Sequence, residues 1–298
     1  MNADATIRRE LGQFLKTRRR QLTRAELGLP AIRKGPSGVR REEISYLSGV
    51  SITWYSWLEQ GREIMPSRQV VDALARALKL SVEEHTYIRL LAGYCDPQLL
   101  SEPSPQAAPA HVQRLLDAVG GYPAFAIAPD WTVAAWNDAY AAFYRDLSKV
   151  PTADRNLLWL IFTDPYLRGL IPDWEFTSRR HVAQFRAEAG PRLGQPSFMR
   201  LVTRLLDSSE AFRACWESHD IERFASRQRI FHHPVVGELH MDQHRLAPSD
   251  HPHLRLVIYT PVLTTDTPER LRQLISGESG NPTGNMIGRR DRAGRKVP

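Results

Sequence analysis

The sequence predicts an all-α domain of five helices followed by an α+β domain, and three observations carry that prediction. Upstream of residue 100 the apolar side chains recur at helical spacing. Downstream of residue 120, short strand-like runs alternate with helical ones. Between the two lies Ser101–Ala110 (SEPSPQAAPA), with three prolines and no large apolar side chain, the composition of a linker. The expected organisation is a first domain over residues 1–100, a linker over 101–110, a second domain over 111–276 and a tail over 277–298. The tail is rich in Gly, Asn and Arg and is expected to be disordered.

The elements follow in order. Ile7, Leu11, Phe14 and Leu15 form the stripe of an amphipathic helix. Arg41–Ser48 reads as a second helix with Ile44 and Leu47 facing the core, ended by Gly49, a residue tolerant of positive φ. Val50 is a small apolar plug, and Ser51 stands where an N-cap belongs. The next helix turns Tyr55 and Leu58 inward. Val70, Leu74, Ala77 and Leu78 make a fourth stripe with Ser67 as its N-cap, and Tyr87, Ile88 and Leu91 suit a short fifth helix. In the second domain, Pro123–Trp136 reads as two short strands around Pro129-Asp130. Asn156–Phe162, Arg179–Ala189 and Phe198–Cys215 read as helices, and Asp164-Pro165 as a turn and helix start. Phe231–His244 and His253–Pro261 read as strands, the latter apolar enough to be central.

Composition narrows the function classes. With 42% hydrophobic and 24% charged residues the 298-residue chain is ordinary globular material. No apolar run approaches a membrane span, and the first residues carry no secretory h-region. Cys95 and Cys215 lack metal or redox spacing, so no disulfide scaffold and a cytoplasmic location are expected. The net charge of +7 is uneven: residues 1–100 hold 16 basic against 11 acidic residues, 101–276 hold 19 against 20, and 277–298 hold 5 against 2. Residues 1–41 carry 11 basic residues against Asp4, Glu10 and Glu26. Such a surface attracts polyanions, unless it is simply a solvated helix face.

The helix–Gly-Val-Ser–helix pattern over Arg41–Gly61 favours the polyanion. It is the helix-turn-helix arrangement, whose second helix lies in the major groove of double-stranded DNA. Arg18, Arg19, Arg20, Arg33, Arg40 and Arg41 are suited to neutralise phosphates, Arg19 among them without sequence preference. Ile52, Thr53 and Trp57 suit thymine methyls, and Thr53 and Ser56 can hydrogen-bond. The recognition helix has no Asn, Gln or Arg in its first two turns. Arg41, or the long Thr23–Arg40 connection, is therefore expected to supply much of the specificity. That connection, with Arg33, Lys34, Pro36 and Gly38, reads equally as a groove-tracking arm or a surface loop. A lone recognition helix buries little, so a homodimer on paired half-sites is expected.

Catalytic motifs are absent: no P-loop, no GxGxxG, no G-x-S-x-G and no CxxC. Seven of ten histidines lie between His219 and His253, and His240, Asp242 and His244 alternate on one strand face. No distal ligand accompanies them, so neither a metal nor another cofactor is expected. The run from Phe125 to Phe176 is rich in aromatic rings, which suits a core, or a core that leaves a cavity for an apolar ligand.

Residues 7–92 resemble a helix-turn-helix domain of the xenobiotic-response-element, or lambda-repressor-like, class. The segments GLPAIRKGPSGVRREEISYLSGVS, WYSWLEQGR, PSRQVVDALARALKL and HHPVVGEL resemble MmyB-like transcription regulators more closely. The likeness spans about nine-tenths of the chain and is most specific at Arg40–Arg62 and Phe231–Leu239. It implies that Arg41 meets phosphate or a base and Arg62 the DNA backbone, and that Ser51, Ile52, Thr53, Ser56 and Trp57 face the groove, with Glu59 a cap or brace. It also implies a PAS-like second domain that acts as a ligand sensor; the aromatic run suits a small apolar ligand, and Arg155 suits the carboxylate of a fatty-acyl-like one. The matching motifs Trp136-Asn137, Arg155-Asn156-Leu157-Leu158, Asp173-Trp174 and Phe231–Leu239 nominate Asn137, Arg155, Asn156 and His233 for the polar head of that ligand. Trp136 and Trp159 would line its apolar part. Equally, Arg155 and Asn156 would cap the following helix and His233 brace the sheet. The competing classes are a metal-dependent enzyme with a DNA-targeting head and a scaffold without a ligand.

Overall fold

The computed structural model describes residues 3–30, 38–94, 108–225 and 227–277. Arg33, Lys34, Pro36, Cys95, most of the expected linker and the tail from residue 278 lie outside the described residues.

Among the described residues the first domain has five α-helices: α1 (Ala3–Gln21), α2 (Arg41–Ser48), α3 (Ile52–Glu59), α4 (Arg68–Ala77) and α5 (Val82–Leu91). Asp4 at the start of α1 and Arg18, Arg19 and Arg20 at its end complement the helix dipole. Ser51, Ser67 and Ser81 each accept a backbone N–H three residues on and so fix the starts of α3, α4 and α5. Phe14, Ile44, Tyr55, Leu74 and Tyr87 meet in one core. Gly12 is where α1 and α3 pass: a Cβ there would lie 2.6 Å from the Leu58 carbonyl oxygen. Two expectations shift by a residue or a turn. Leu47 is 41% exposed, leaving Ile44 as the buried anchor of α2, and α4 buries Val71 rather than Val70.

The second domain is a five-stranded antiparallel sheet in the order β2-β1-β5-β4-β3, with helices on both faces. Its strands are β1 (Ala124–Ile127), β2 (Val133–Trp136), β3 (Arg227–His233), β4 (Gly237–Leu246) and β5 (Arg255–Pro261). The period-two alternation of β1 divides the faces. Ala124 and Ala126 join Ala135 and Leu256 under α6 (Ala110–Ala118), whose Val112 and Leu116 pack on them. Phe125 and Ile127 turn the other way, into the larger core with Met241, Val257 and Tyr259.

That larger core is closed by α7 (Asp138–Phe143), α8 (Leu157–Thr163), α9 (Pro165–Leu170), α10 (Trp174–Ala189), α11 (Pro196–Ser208), α12 (Glu210–Glu217) and α13 (Thr267–Ser276). β5 lies between β1 and β4, the central position its apolar run predicts. The segment Phe231–His244 is not one strand but spans a hairpin turned at Pro234–Val236, because His233 pairs with Gly237. Phe198–Cys215 is two helices, broken at Ser209, whose extended backbone and side chain cap α12.

Candidate DNA-binding face and ligand cavity

α3 buries Tyr55, Leu58 and Glu59 and leaves Ser51, Ile52 and Thr53 exposed, with Ser56 and Trp57 half-buried on its flank. Gly49 makes the turn into it at φ 70°. The Arg62 guanidinium stacks over the Trp57 ring at 5.7 Å and donates to Gln60 at 3.0 Å, so the far end of the helix carries a positive charge.

Glu59 organises the basic end of this face. Its carboxylate has no exposed side-chain surface and is bound by Arg19 Nε at 2.6 Å, Arg19 Nη2 at 3.0 Å and Arg41 Nε at 2.7 Å. Burial alone would raise the Glu59 carboxyl; the two guanidiniums reverse that and keep it ionised. Arg41 remains 40% exposed, so it is held by its Nε with its outer end towards solvent. Arg19 is different, with a third bond to the Val39 carbonyl, and Arg18 is engaged by Glu84 and the His219 carbonyl. The expectation that Arg18 and Arg19 serve phosphates is corrected accordingly: both hold the fold together. Arg20, Arg40 and Arg41 line a concave surface of about 540 Å³ beside Gly38 and Val39, with Arg20 and Arg40 exposed.

In the second domain a cavity of about 310 Å³ opens between the sheet and helices α8 to α10. That volume is at the small end of the range for small-molecule sites. Leu157, Ile161, Leu167 and Phe231 supply apolar walls, and Phe176, Thr177, Arg180 and His181 of α10 line the other side. Its polar end is a hydrogen-bonded chain. Arg229 Nε donates to Gln243 Oε1 at 2.9 Å, Gln243 Nε2 donates to the Tyr259 hydroxyl at 3.0 Å, and the Tyr144 hydroxyl donates to Tyr259 at 3.3 Å. Burial pushes both phenols above their ordinary range, so they stay neutral donors and acceptors. The arrangement suits a molecule that is mostly apolar with one polar or anionic end.

None of the six nominated ligand residues lines this cavity. Asn137 Oδ1 accepts from Ala124 and Tyr140 and its Nδ2 donates to the Leu116 and Tyr122 carbonyls, so its bonding capacity is used in starting α7. Asn156 caps α8 through Leu158 and Trp159 and donates to Asp130. Arg155 donates to the Val150 and Ser148 carbonyls and lies over Trp136; the two line a separate cleft of about 390 Å³. Trp159 is covered by Arg204 at 3.9 Å. His233 accepts the Val235 N–H on Nδ1 and meets the Tyr166 hydroxyl at 3.1 Å on Nε2; burial lowers its pKa and favours the neutral ring. It braces the β3–β4 turn.

Gln243 was the available signal for the cavity. Leu239, Met241 and Gln243 share the inward face of β4, and a polar residue on an apolar face asks for a partner. Two of the His240, Asp242 and His244 trio have other partners, His240 on Glu238 at 2.6 Å and His244 on Thr260 at 2.8 Å.

The two domains meet through α10. Arg186, two turns beyond the cavity-lining Thr177 and Arg180, has no exposed surface. Its guanidinium donates to Glu10 Oε1 of α1 and to the Trp216 carbonyl, lies 3.0 Å from His219 Nδ1 and stacks on the Trp216 ring at 3.8 Å. Tyr87 of α5 donates to the same Glu10 oxygen at 2.9 Å. Burial would raise the Glu10 carboxyl, but Arg186, His219 and Tyr87 together hold it at about 2.

Among the described residues no helix is long and apolar enough to cross a membrane. No curated protein matches the chain. Residues 10–87 match the model of a helix-turn-helix domain family. Residues 108–274 match the model of the MmyB-like transcription regulator ligand binding domain. With more than half its length inside that second model, the chain belongs to the MmyB-like transcription regulators, joining a DNA-binding helix-turn-helix domain to a ligand-binding domain.

Proposed function

We propose that this regulator senses a small, largely apolar molecule with an anionic head, of fatty-acyl type. The apolar part lies among Leu157, Ile161, Leu167 and Phe231, and the head reaches Arg229 and Gln243. Arg229 suits a carboxylate because a guanidinium pairs with it through two parallel N–H bonds. The sheet with helices on both faces supports the PAS-like reading of this domain. DNA is met by Arg40, Arg41, Ser51, Ile52, Thr53, Ser56, Trp57 and Arg62, in a homodimer that sets two recognition helices on paired half-sites.

One observation carries the regulatory reading: α10 lines the cavity with Phe176, Thr177, Arg180 and His181, and the same helix places Arg186 on Glu10 of α1. A ligand that prefers one setting of α10 shifts the docking of the DNA-binding domain by its difference in affinity for the two settings.

Native mass spectrometry of the full chain with dodecanoic acid tests the ligand class. The expected outcome is one acid per protomer for the wild type and none for Thr177→Trp, which fills the cavity. Equal occupancy in both would remove the cavity from the account.

A further inference from the structure

We propose that His111, Asp250 and His251 form a binding site for a divalent borderline metal ion of the zinc class, clamping the start of α6 to the β4–β5 loop. The three side chains each offer one donor atom, and these atoms all lie within 4.8 Å of one another. His111 Nε2 is 3.0 Å from Asp250 Oδ2, and His251 Nε2 is 3.9 Å from the same oxygen. Zinc bonds imidazole nitrogen and carboxylate oxygen at about 2.0–2.2 Å, which sets tetrahedral donor separations of roughly 3.3 Å. Small side-chain rotations bring these three donors to that spacing, leaving the fourth position to water.

The backbone builds this cluster from two distant parts of the chain. His111 is in the first turn of α6, and the next residue, Val112, packs in the same apolar cluster as Leu254. That contact seats the helix start against the loop. Within the loop the His251 N–H donates to the Pro248 carbonyl at 3.2 Å, and the Leu254 N–H donates to His251 at 2.9 Å. Arg255 donates to the Pro252 and Leu254 carbonyls. Two consecutive turns therefore hold Asp250 and His251 side by side, facing His111. The rings of His111 and His251 already stack at 5.3 Å. All three side chains keep solvent access, so an ion has an entry path and room for a water ligand.

The donor set selects the metal. Two imidazoles and one carboxylate suit zinc, cobalt, nickel or copper, whereas calcium and magnesium require more oxygen ligands. The site bears on architecture rather than on the cavity. His111 stands close behind residues 95–107, so a bound ion would fix where the second domain begins relative to its own sheet.

The test uses the full-length protein stripped with chelator and then titrated with Zn²⁺ by calorimetry and with Co²⁺ by visible absorption. The expected result is one ion per protomer, the d–d bands of tetrahedral cobalt, and a rise in melting temperature with Zn²⁺. His111→Ala and His251→Ala should each weaken binding by at least about tenfold while the metal-free melting temperature stays unchanged. Asp250→Asn, which keeps the side-chain shape, should do the same and serves if an alanine variant fails to fold. His240→Ala, in the separate cluster with Glu238 and His232, should bind as the wild type does. Mg²⁺ and Ca²⁺ should leave the melt unmoved. Wild-type affinity in the His111→Ala and His251→Ala proteins, or no Zn²⁺ binding at about 100 µM, would overturn the proposal.

Discussion

Arg186 of the ligand-binding domain donates to Glu10 of the DNA-binding domain with no guanidinium surface left to solvent. A buried charge pair need not stabilise a fold relative to apolar replacements, but breaking one by removing a single partner is costly. Glu10→Gln or Arg186→Met should therefore each cost about 3–5 kcal/mol. The double variant Glu10→Leu with Arg186→Met should recover part of that loss. Urea unfolding of the three proteins gives the comparison; fully additive losses would show that the two side chains do not act as a pair.

The same pair sets a pH dependence. Glu10 ordinarily titrates near 4.5 and is held at about 2 in the folded protein. The docked form therefore binds fewer protons than the undocked form between these values. Its stabilisation is complete above about pH 4.5 and is lost as pH falls towards 2. The melting-temperature gap between wild type and Glu10→Gln should be widest near neutrality and should close over that window. A gap independent of pH would contradict the carboxylate's role.

On the DNA side, two kinds of arginine should separate. Arg20→Ala and Arg40→Ala remove exposed charges and should each lower the slope of log affinity against log salt by about 1. Arg19→Ala, which leaves the buried Glu59 half-paired, should destabilise the domain instead. Thr53→Ala should lose discrimination at one base step, about 1–3 kcal/mol. Anisotropy titrations against selected and random duplexes across salt concentrations resolve these outcomes. Equal slopes for all variants would remove the concave basic surface from the interface.

In the cavity, Arg229→Met should weaken dodecanoic acid more than the uncharged dodecanol, because only the acid gains a charge-assisted bond. Gln243→Leu should affect both less while loosening Arg229 and Tyr259, its two partners. Calorimetry with the two ligands makes the comparison. An equal loss for both would place the head group elsewhere.

The helix-turn-helix was legible almost to the residue because its signals are local: Gly49 turns, Ser51 caps, and Tyr55 and Leu58 repeat at helical spacing. Beyond the polar Gln243 on an apolar strand face, the cavity was not legible, because its polar end joins Arg229 on β3, Gln243 on β4, Tyr259 on β5 and Tyr144 after α7, which only strand register brings together. Asn137 and Asn156 stood out in sequence for a structural reason: each is an N-cap that also satisfies distant backbone groups. Arg186 carried no pattern at all. It sits on a helix of mixed polarity, and its partner is 176 positions away.

The most direct test of the account is operator affinity measured with and without saturating dodecanoic acid, in the wild type and in Glu10→Leu with Arg186→Met. For the wild type the acid should change affinity by about 5–150-fold, the usual span of a coupling free energy. In the double variant the acid should still bind the cavity but leave DNA affinity within about twofold of the acid-free value. The same acid-dependent change in both proteins would contradict coupling through Arg186 and Glu10.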